Sequence, residues 1–154
     1  MAFTGNAFCT SAKVGFLTGT YAPLADTMKI ALYTDAATLN AATTAYAAPV
    51  DPAAVPTSTG EVSTTGTGYT SGGNTLITPV ISYSGTTAWL TFGNSSWTTA
   101  TITARGALIY DAQAGKGNAA IAVLDFGADK TSTAGTFTIQ MPVAAASTAL
   151  IRIA

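Results

Sequence analysis

Apolar and small polar residues alternate along most of this chain, and turns containing glycine or asparagine interrupt the alternation at short intervals. Successive side chains of a β-strand point to opposite faces, so a period of two marks strands with one buried face. Residues 7–17 place Phe8, Thr10, Ala12, Val14 and Phe16 on one set of alternate positions, which predicts a first strand. Residues 28–33 repeat the pattern with Met28, Ile30 and Leu32, after a segment, 18–23, with turn chemistry. Further strands are expected at 75–83, 86–92, 98–110, 119–126, 135–141 and 148–153. Ser84-Gly85, Gly93-Asn94, Gly115-Lys116-Gly117-Asn118 and Ala134-Gly135 separate them. Short strands joined by tight turns predict an all-β fold, an antiparallel β-sandwich or jelly-roll-like single domain over residues 1–154 with one short helix at most. The alternation assigns the core to Phe8, Val14, Phe16, Ile30, Leu32, Leu76, Ile81, Leu90, Phe92, Ile102, Leu108, Ile121, Val123, Leu124, Phe137, Ile139, Leu150 and Ile151.

Two segments break the pattern. In residues 35–48 Asp35 can cap, and Leu39, Ala42, Thr43 and Tyr46 recur at helical spacing, which predicts the one short helix. Residues 49–60 hold Pro49, Pro52 and Pro56, which remove backbone donors; a surface loop or arm is expected there, ordered only against a neighbour.

A chain of 154 residues buries roughly two-thirds of its unfolded surface, so it needs no metal or disulfide to fold. Charged residues make up 8%, against about 25% in an average domain, while Ala, Thr, Gly and Ser fill 85 of the positions. The surface is therefore neutral and hydroxyl-rich. A net charge of -1 without a basic run offers no electrostatic footprint to nucleic acid and no attraction to an anionic membrane. The mean hydropathy of +0.38 comes from scattered Ala and short Val, Ile and Leu strings, none near the ~18 residues of a spanning helix. Residues 1–13 lack a charged n-region and an unbroken apolar h-region, so no secretory signal is expected. Cys9 is the only cysteine and reads as a buried small hydrophobe.

The usual chemistries lack their parts. There is no His and a single Glu, Glu61, in a flexible-looking segment, so acid–base catalysis near neutral pH has few candidates. Cys9 has no His partner, and no Gly-x-Ser-x-Gly elbow occurs. Zinc would want clustered His and Cys. Asp125 and Asp129 flank Gly127 but lack the dense oxygen ligands of a calcium loop, so a turn is expected with Asp129 and Lys130 solvated. Gly66-Thr67-Gly68-Tyr69-Thr70-Ser71-Gly72 has the glycine count of a phosphate cradle without its strand or its Lys, and reads as a tight turn. Trp89, Trp97, Tyr69 and Tyr83 would stack on sugar rings only from one exposed face, and a β core needs most of the 14 aromatic residues. Arg105, an isolated charge in a neutral strand, is either solvated or paired with a carboxylate such as Asp125 or one on a neighbouring subunit. No catalytic, cofactor-binding or metal-binding residue is assigned, no cofactor is expected, and the chain reads as non-enzymatic.

TITARGALIYDAQAGKGNAAIAVLDFGADKTSTAGTFTIQMPVAAASTALIRIA, with KIALYTDAATLNAATTAY and GTGYTSGGNTL, resembles a group of small structural proteins of tailed bacteriophages. The likeness runs over nearly the whole chain and is poorest at residues 49–60. It implies a virion component assembled in the host cytoplasm, and it carries over no catalytic residue. The expected function is that of a capsid decoration or cement protein, homotrimeric, with the major capsid protein or another phage structural protein as partner. The alternative is a tail-fibre or tail-tip module that binds a receptor or glycan, and a third reading is a cellular surface-array protein. A neutral β domain without disulfides independently suits assembly in a reducing cytoplasm.

Overall fold

A computed structural model describes residues 3–46 and 60–154. Strands hold 43% of the described residues and helix 6%, so the fold is all-β, as the alternation predicts. In chain order the elements are β1 (Ala7–Phe8), α1 (Thr10–Leu17), β2 (Met28–Tyr33), β3 (Asn74–Thr75), β4 (Val80–Ser84), β5 (Thr87–Thr91), β6 (Ser95–Ala100), β7 (Thr103–Asp111), β8 (Ala119–Thr131), β9 (Gly135–Ile139) and β10 (Ile151–Ile153). They form antiparallel sheets in the orders β1-β8-β7-β2-β3, β10-β5-β4 and β6-β9.

The centre of the largest sheet is β2 against β7, from Met28 opposite Asp111 to Tyr33 opposite Gly106. Nearly every residue of both strands is buried, because other elements cover each face, and such strands read as continuous apolar runs. Ile30, Leu32, Leu108 and Ile121 from this sheet share one buried cluster with Leu90 and Ile151 of the second sheet and Trp97, Phe137 and Ile139 of the third. That shared core gives the sheets a sandwich-like arrangement.

Several boundaries differ from those expected. The strand read at 7–17 is two residues of β1 followed by α1. The helix buries only Ala12 and Gly15, and a Cβ on Gly15 would lie 2.0 Å from the ring of Tyr21, so its inner face is built from small residues that leave no 3.6-residue stripe of large ones. Val14, assigned to the core, is 58% exposed. The helix expected at 35–48 does not form over its described part, residues 35–46, which makes turns and isolated bridges from Leu39 to Phe3 and from Ala45 to Ala119. There Asn40 Oδ1 accepts from the Ala42 amide at 2.7 Å and Thr43 Oγ1 from the Asn40 amide at 3.1 Å, local bonds that compete with helix.

The expected strand at 75–83 is interrupted at Thr78 (φ 47°) and Pro79, and that at 98–110 divides between β6 and β7 around Ile102. β8 runs on to Thr131 past an irregularity opposite Arg105, beyond its expected end at 126. Ile81, assigned to the core, is 46% exposed, and Phe8, Phe16, Leu124 and Leu150 are half-buried; the other twelve assigned residues besides Val14 are buried. Of the expected arm, residues 49–59 lie outside the described residues.

Candidate functional site

The two strands that form the centre of the main sheet carry Tyr33 and Tyr110, and flanking segments bring Tyr46 and Tyr69 beside them. Glu61, bridged to Tyr33, stands among these rings. Its Oε1 accepts hydrogen bonds from the Tyr69 hydroxyl and the Gly72 amide, each at 2.7 Å. Its Oε2 accepts from Ser71 at 3.1 Å and Tyr46 at 3.2 Å. Tyr46 stacks on Tyr110 with centroids 4.4 Å apart, and the Tyr110 hydroxyl donates to the Gly72 carbonyl at 2.8 Å. Burial first, then neighbouring charge, pushes the Tyr33, Tyr69 and Tyr110 hydroxyls above their usual range, and Tyr46 up to about 12. They remain protonated, Tyr46 and Tyr69 donate to Glu61 beside Ser71 and the Gly72 amide, and Tyr110 donates to the Gly72 carbonyl, so the cluster is a lock that fastens residues 60–73 to the sheet. The chain position of Glu61 gives no sign of this. The available sequence signal was the combination of one Glu with six tyrosines, and its donors are too scattered to be recognised as a motif.

A second polar cluster lies at the end of the same sheet. Asp111 has no exposed surface; its Oδ1 accepts from the Gln113 amide at 2.9 Å, while its Oδ2 has no donor among the described residues. Burial raises its carboxyl to about 6, with Asp26 adding to the shift, so a proton on Asp111 can bridge the two acids. Asp26 also accepts from the Ala22 amide at 2.6 Å and faces Lys116 at 3.4 Å, and Lys116 donates to the Thr20 carbonyl. Burial opposes ionisation of Asp26, but the Ala22 bond, Asp111 and Lys116 together hold its carboxyl below the usual range. Lys116 supplies the cation that this pair of carboxylates needs, and the cluster ties residues 20–27 to the β7–β8 turn.

The structure chooses between the two readings of Arg105: it pairs with Asp125, whose other oxygen accepts from the Gly5 amide at 3.2 Å. The bond from the Gly127 amide is the main cause that lowers the Asp125 carboxyl; burial opposes it and Arg105 adds to it. Asp125 thus braces the irregularity within β8 and fixes the N-terminal segment; Asp129 and Lys130 are exposed, as expected, but they lie in β8 and not in the expected turn. Among the described residues no group of three or more His, Cys, Asp or Glu is placed to hold a metal. Cys9 is fully buried, and that burial raises its thiol to about 11 against a smaller opposite pull from Lys13. Trp97 packs between Tyr69 at 5.9 Å and Phe137 at 6.2 Å in the core. Trp89 is half-buried, and its pairing with Ser82 puts it on the opposite face of its sheet from the exposed Tyr83, so the four candidate aromatics do not share one exposed face.

An exposed apolar surface lies on the β10-β5-β4 sheet. Ile81, Leu90 and Ile151 align across it, as do Tyr83, Ala88 and Ile153. This face and the rings of Phe8 and Phe16 enclose a cleft of about 100 Å³. Val80, Ile81, Tyr83 and Ile153, at 41%, 46%, 78% and 58% exposure, are four of the nine exposed large hydrophobics among the described residues. All of β4 is exposed, and among the described residues it forms the outer edge of its sheet. Sequence reading placed Ile81 inside because it alternates correctly, and alternation alone does not reveal whether a face is covered. The chain matches no family model, no curated protein and no solved structure with which it was compared.

Proposed function

We propose that the protein is a structural component of a tailed-phage virion, working as a capsid decoration or cement protein that stabilises the head through contacts between subunits. The observation that carries this reading is the apolar strip and open edge of the β10-β5-β4 sheet on an otherwise neutral, hydroxyl-rich surface. Weakly charged surface costs little to desolvate, so it suits broad protein contacts, and apolar area left exposed by one chain is what an assembled shell can cover. The polar clusters do not argue for catalysis: Glu61 has both oxygens engaged, and Asp111 has no exposed surface. The partner in this reading is the major capsid protein, with copies of the chain grouped as trimers at local threefold positions.

A tail-tip module that binds glycans would draw on an exposed aromatic platform, and Trp97 and Tyr69 are core residues instead. The test is made on particles. Virions lacking the protein should rupture at lower temperature or milder osmotic shock while still adsorbing to host cells. Particles that are equally robust but fail to adsorb would overturn the cement reading in favour of the tail.

A further inference from the structure

β4 reads Val80-Ile81-Ser82-Tyr83-Ser84 and is joined to β5 by the two-residue turn Gly85-Thr86, with Gly85 at φ 58°. A turn of this length makes Ser84 and Thr87 the closing hydrogen-bonded pair. Hydrogen-bonded and non-bonded pairs then alternate, so Ser82 and Val80 bond inward to β5, while Ile81 and Tyr83 turn their amides and carbonyls outward from the sheet. Exposed edges of this kind are normally blunted by charge, proline or a bulge. Within β4 there is none of these, and neither β4 nor β5 has a charged residue.

We infer that β4 pairs antiparallel with β4 of a second copy across a twofold axis centred on Ser82, joining two three-stranded sheets into one of six strands. In that register Ile81 faces the partner's Tyr83 and Tyr83 faces the partner's Ile81. These are the residues whose backbone groups are free, so the hydrogen-bonding phase and the apolar face agree without adjustment. Ser82 meets its own copy, and Val80 meets Ser84. The occupant is a second copy because the strand is complementary to itself and the pairing meets no like-charge repulsion. Each copy also lays a tyrosine beside Ile81, which lines the other's open cleft. Five residues a side fall well short of the roughly 20–30 that make a stable dimer, so the contact closes at the high local concentration of an assembled lattice. It names a partner for the surface in the assembly reading, on which it rests; an isologous contact joins copies in pairs and so would link trimers to one another rather than build them.

Cysteine cross-linking in concentrated, packed arrays of the purified chain supplies the local concentration that the contact needs and tests the register, and the buried Cys9 does not compete. In Ser82→Cys the two sulfurs meet across a non-hydrogen-bonded pair with Cα atoms about 4.5 Å apart, within disulfide range. In Ser84→Cys the paired copies hold their sulfurs roughly 14 Å apart, outside it. Under mild oxidation Ser82→Cys should form disulfide dimer at least about tenfold faster than Ser84→Cys. Adding Ile81→Lys, or Tyr83→Lys should that variant fail to fold, should bring the rate down to the Ser84→Cys level with the circular dichroism unchanged. Equal rates for the two cysteine variants would mean random collision and overturn the pairing, and absence of dimer from both would do the same, as a β4–β10 contact would give. Such a failure leaves the virion reading standing, whereas absence of the chain from purified particles removes that reading and leaves the cross-link result intact.

Discussion

Glu61 accepts four hydrogen bonds from donors at Tyr46, Tyr69, Ser71 and Gly72, so removing its carboxylate strands several partly buried groups at once. Glu61→Ala is expected to destabilise the fold by about 2–4 kcal/mol, and Glu61→Gln by less because its amide oxygen keeps part of the set. Chemical denaturation of both variants checks the order; an Ala variant as stable as the parent would show that the lock contributes nothing. Asp111 makes a different prediction, set by pH. Its carboxyl is raised from 3.8 to about 6 by burial and by Asp26, so the folded chain holds a proton there that the unfolded chain releases sooner. The stability gained from that proton is complete below about pH 4 and is lost as pH rises through about 6. Asp26 and Asp125 are shifted down, so their contributions hold above the ordinary carboxylate range and are lost as pH falls below it. Stability should therefore peak in mild acid. Asp111→Asn should abolish the decline between about pH 4 and 6 and raise stability at pH 7 by on the order of 2 kcal/mol, read from melting curves across pH.

α1 and β4 test what alternation can decide. On a strand, Ala12 and Val14 would share a face, and disturbing either would be costly; on the helix Ala12 is buried and Val14 is exposed. Ala12→Leu is expected to cost about 1–3 kcal/mol by overpacking, while Val14→Lys stays within about 0.5 kcal/mol of the parent. Thermal denaturation that finds both variants equally damaged would contradict the helix. The periodicity was legible wherever a strand buries large residues, as in β2, β7 and the start of β8, whereas the break at Pro79 was missed although a proline inside an alternating run marks it. It misled at residues 10–17 because Phe8 and Phe16, whose rings lie 5.7 Å apart, bracket a helix with a small-residue inner face. The Glu61 lock was illegible for another reason: no local pattern specifies which segments the tertiary fold brings together. The open edge of β4 was illegible in the same way, since neighbours, rather than a strand's own residues, determine whether it ends a sheet.

At the scale of the whole molecule, stability is unevenly placed. β2 and β7 pair along their length and are buried on both faces, whereas β4 is exposed throughout and has one strand partner. Hydrogen exchange should be slowest at amides such as Ile30 and Leu108 and faster by orders of magnitude at the outward amides of Ile81 and Tyr83. Packed arrays of the protein should selectively slow those two, because pairing would occupy amides that are free in the isolated chain. Uniform exchange across the sheets, or unchanged exchange at Ile81 and Tyr83 on packing, would count against this division between a rigid body and an adhesive margin.

Cys9 gives the fold a built-in clock. Its amide donates to Ile121 at 2.9 Å, and its fully buried thiol stands between β1 and α1. An alkylating reagent attacks the thiolate, and here both solvent access and ionisation wait for the helix to lift from the sheet. The pace of alkylation by iodoacetamide therefore measures how often that opening occurs, and any mutation or assembly state that pins α1 down will slow it without a label having to be introduced.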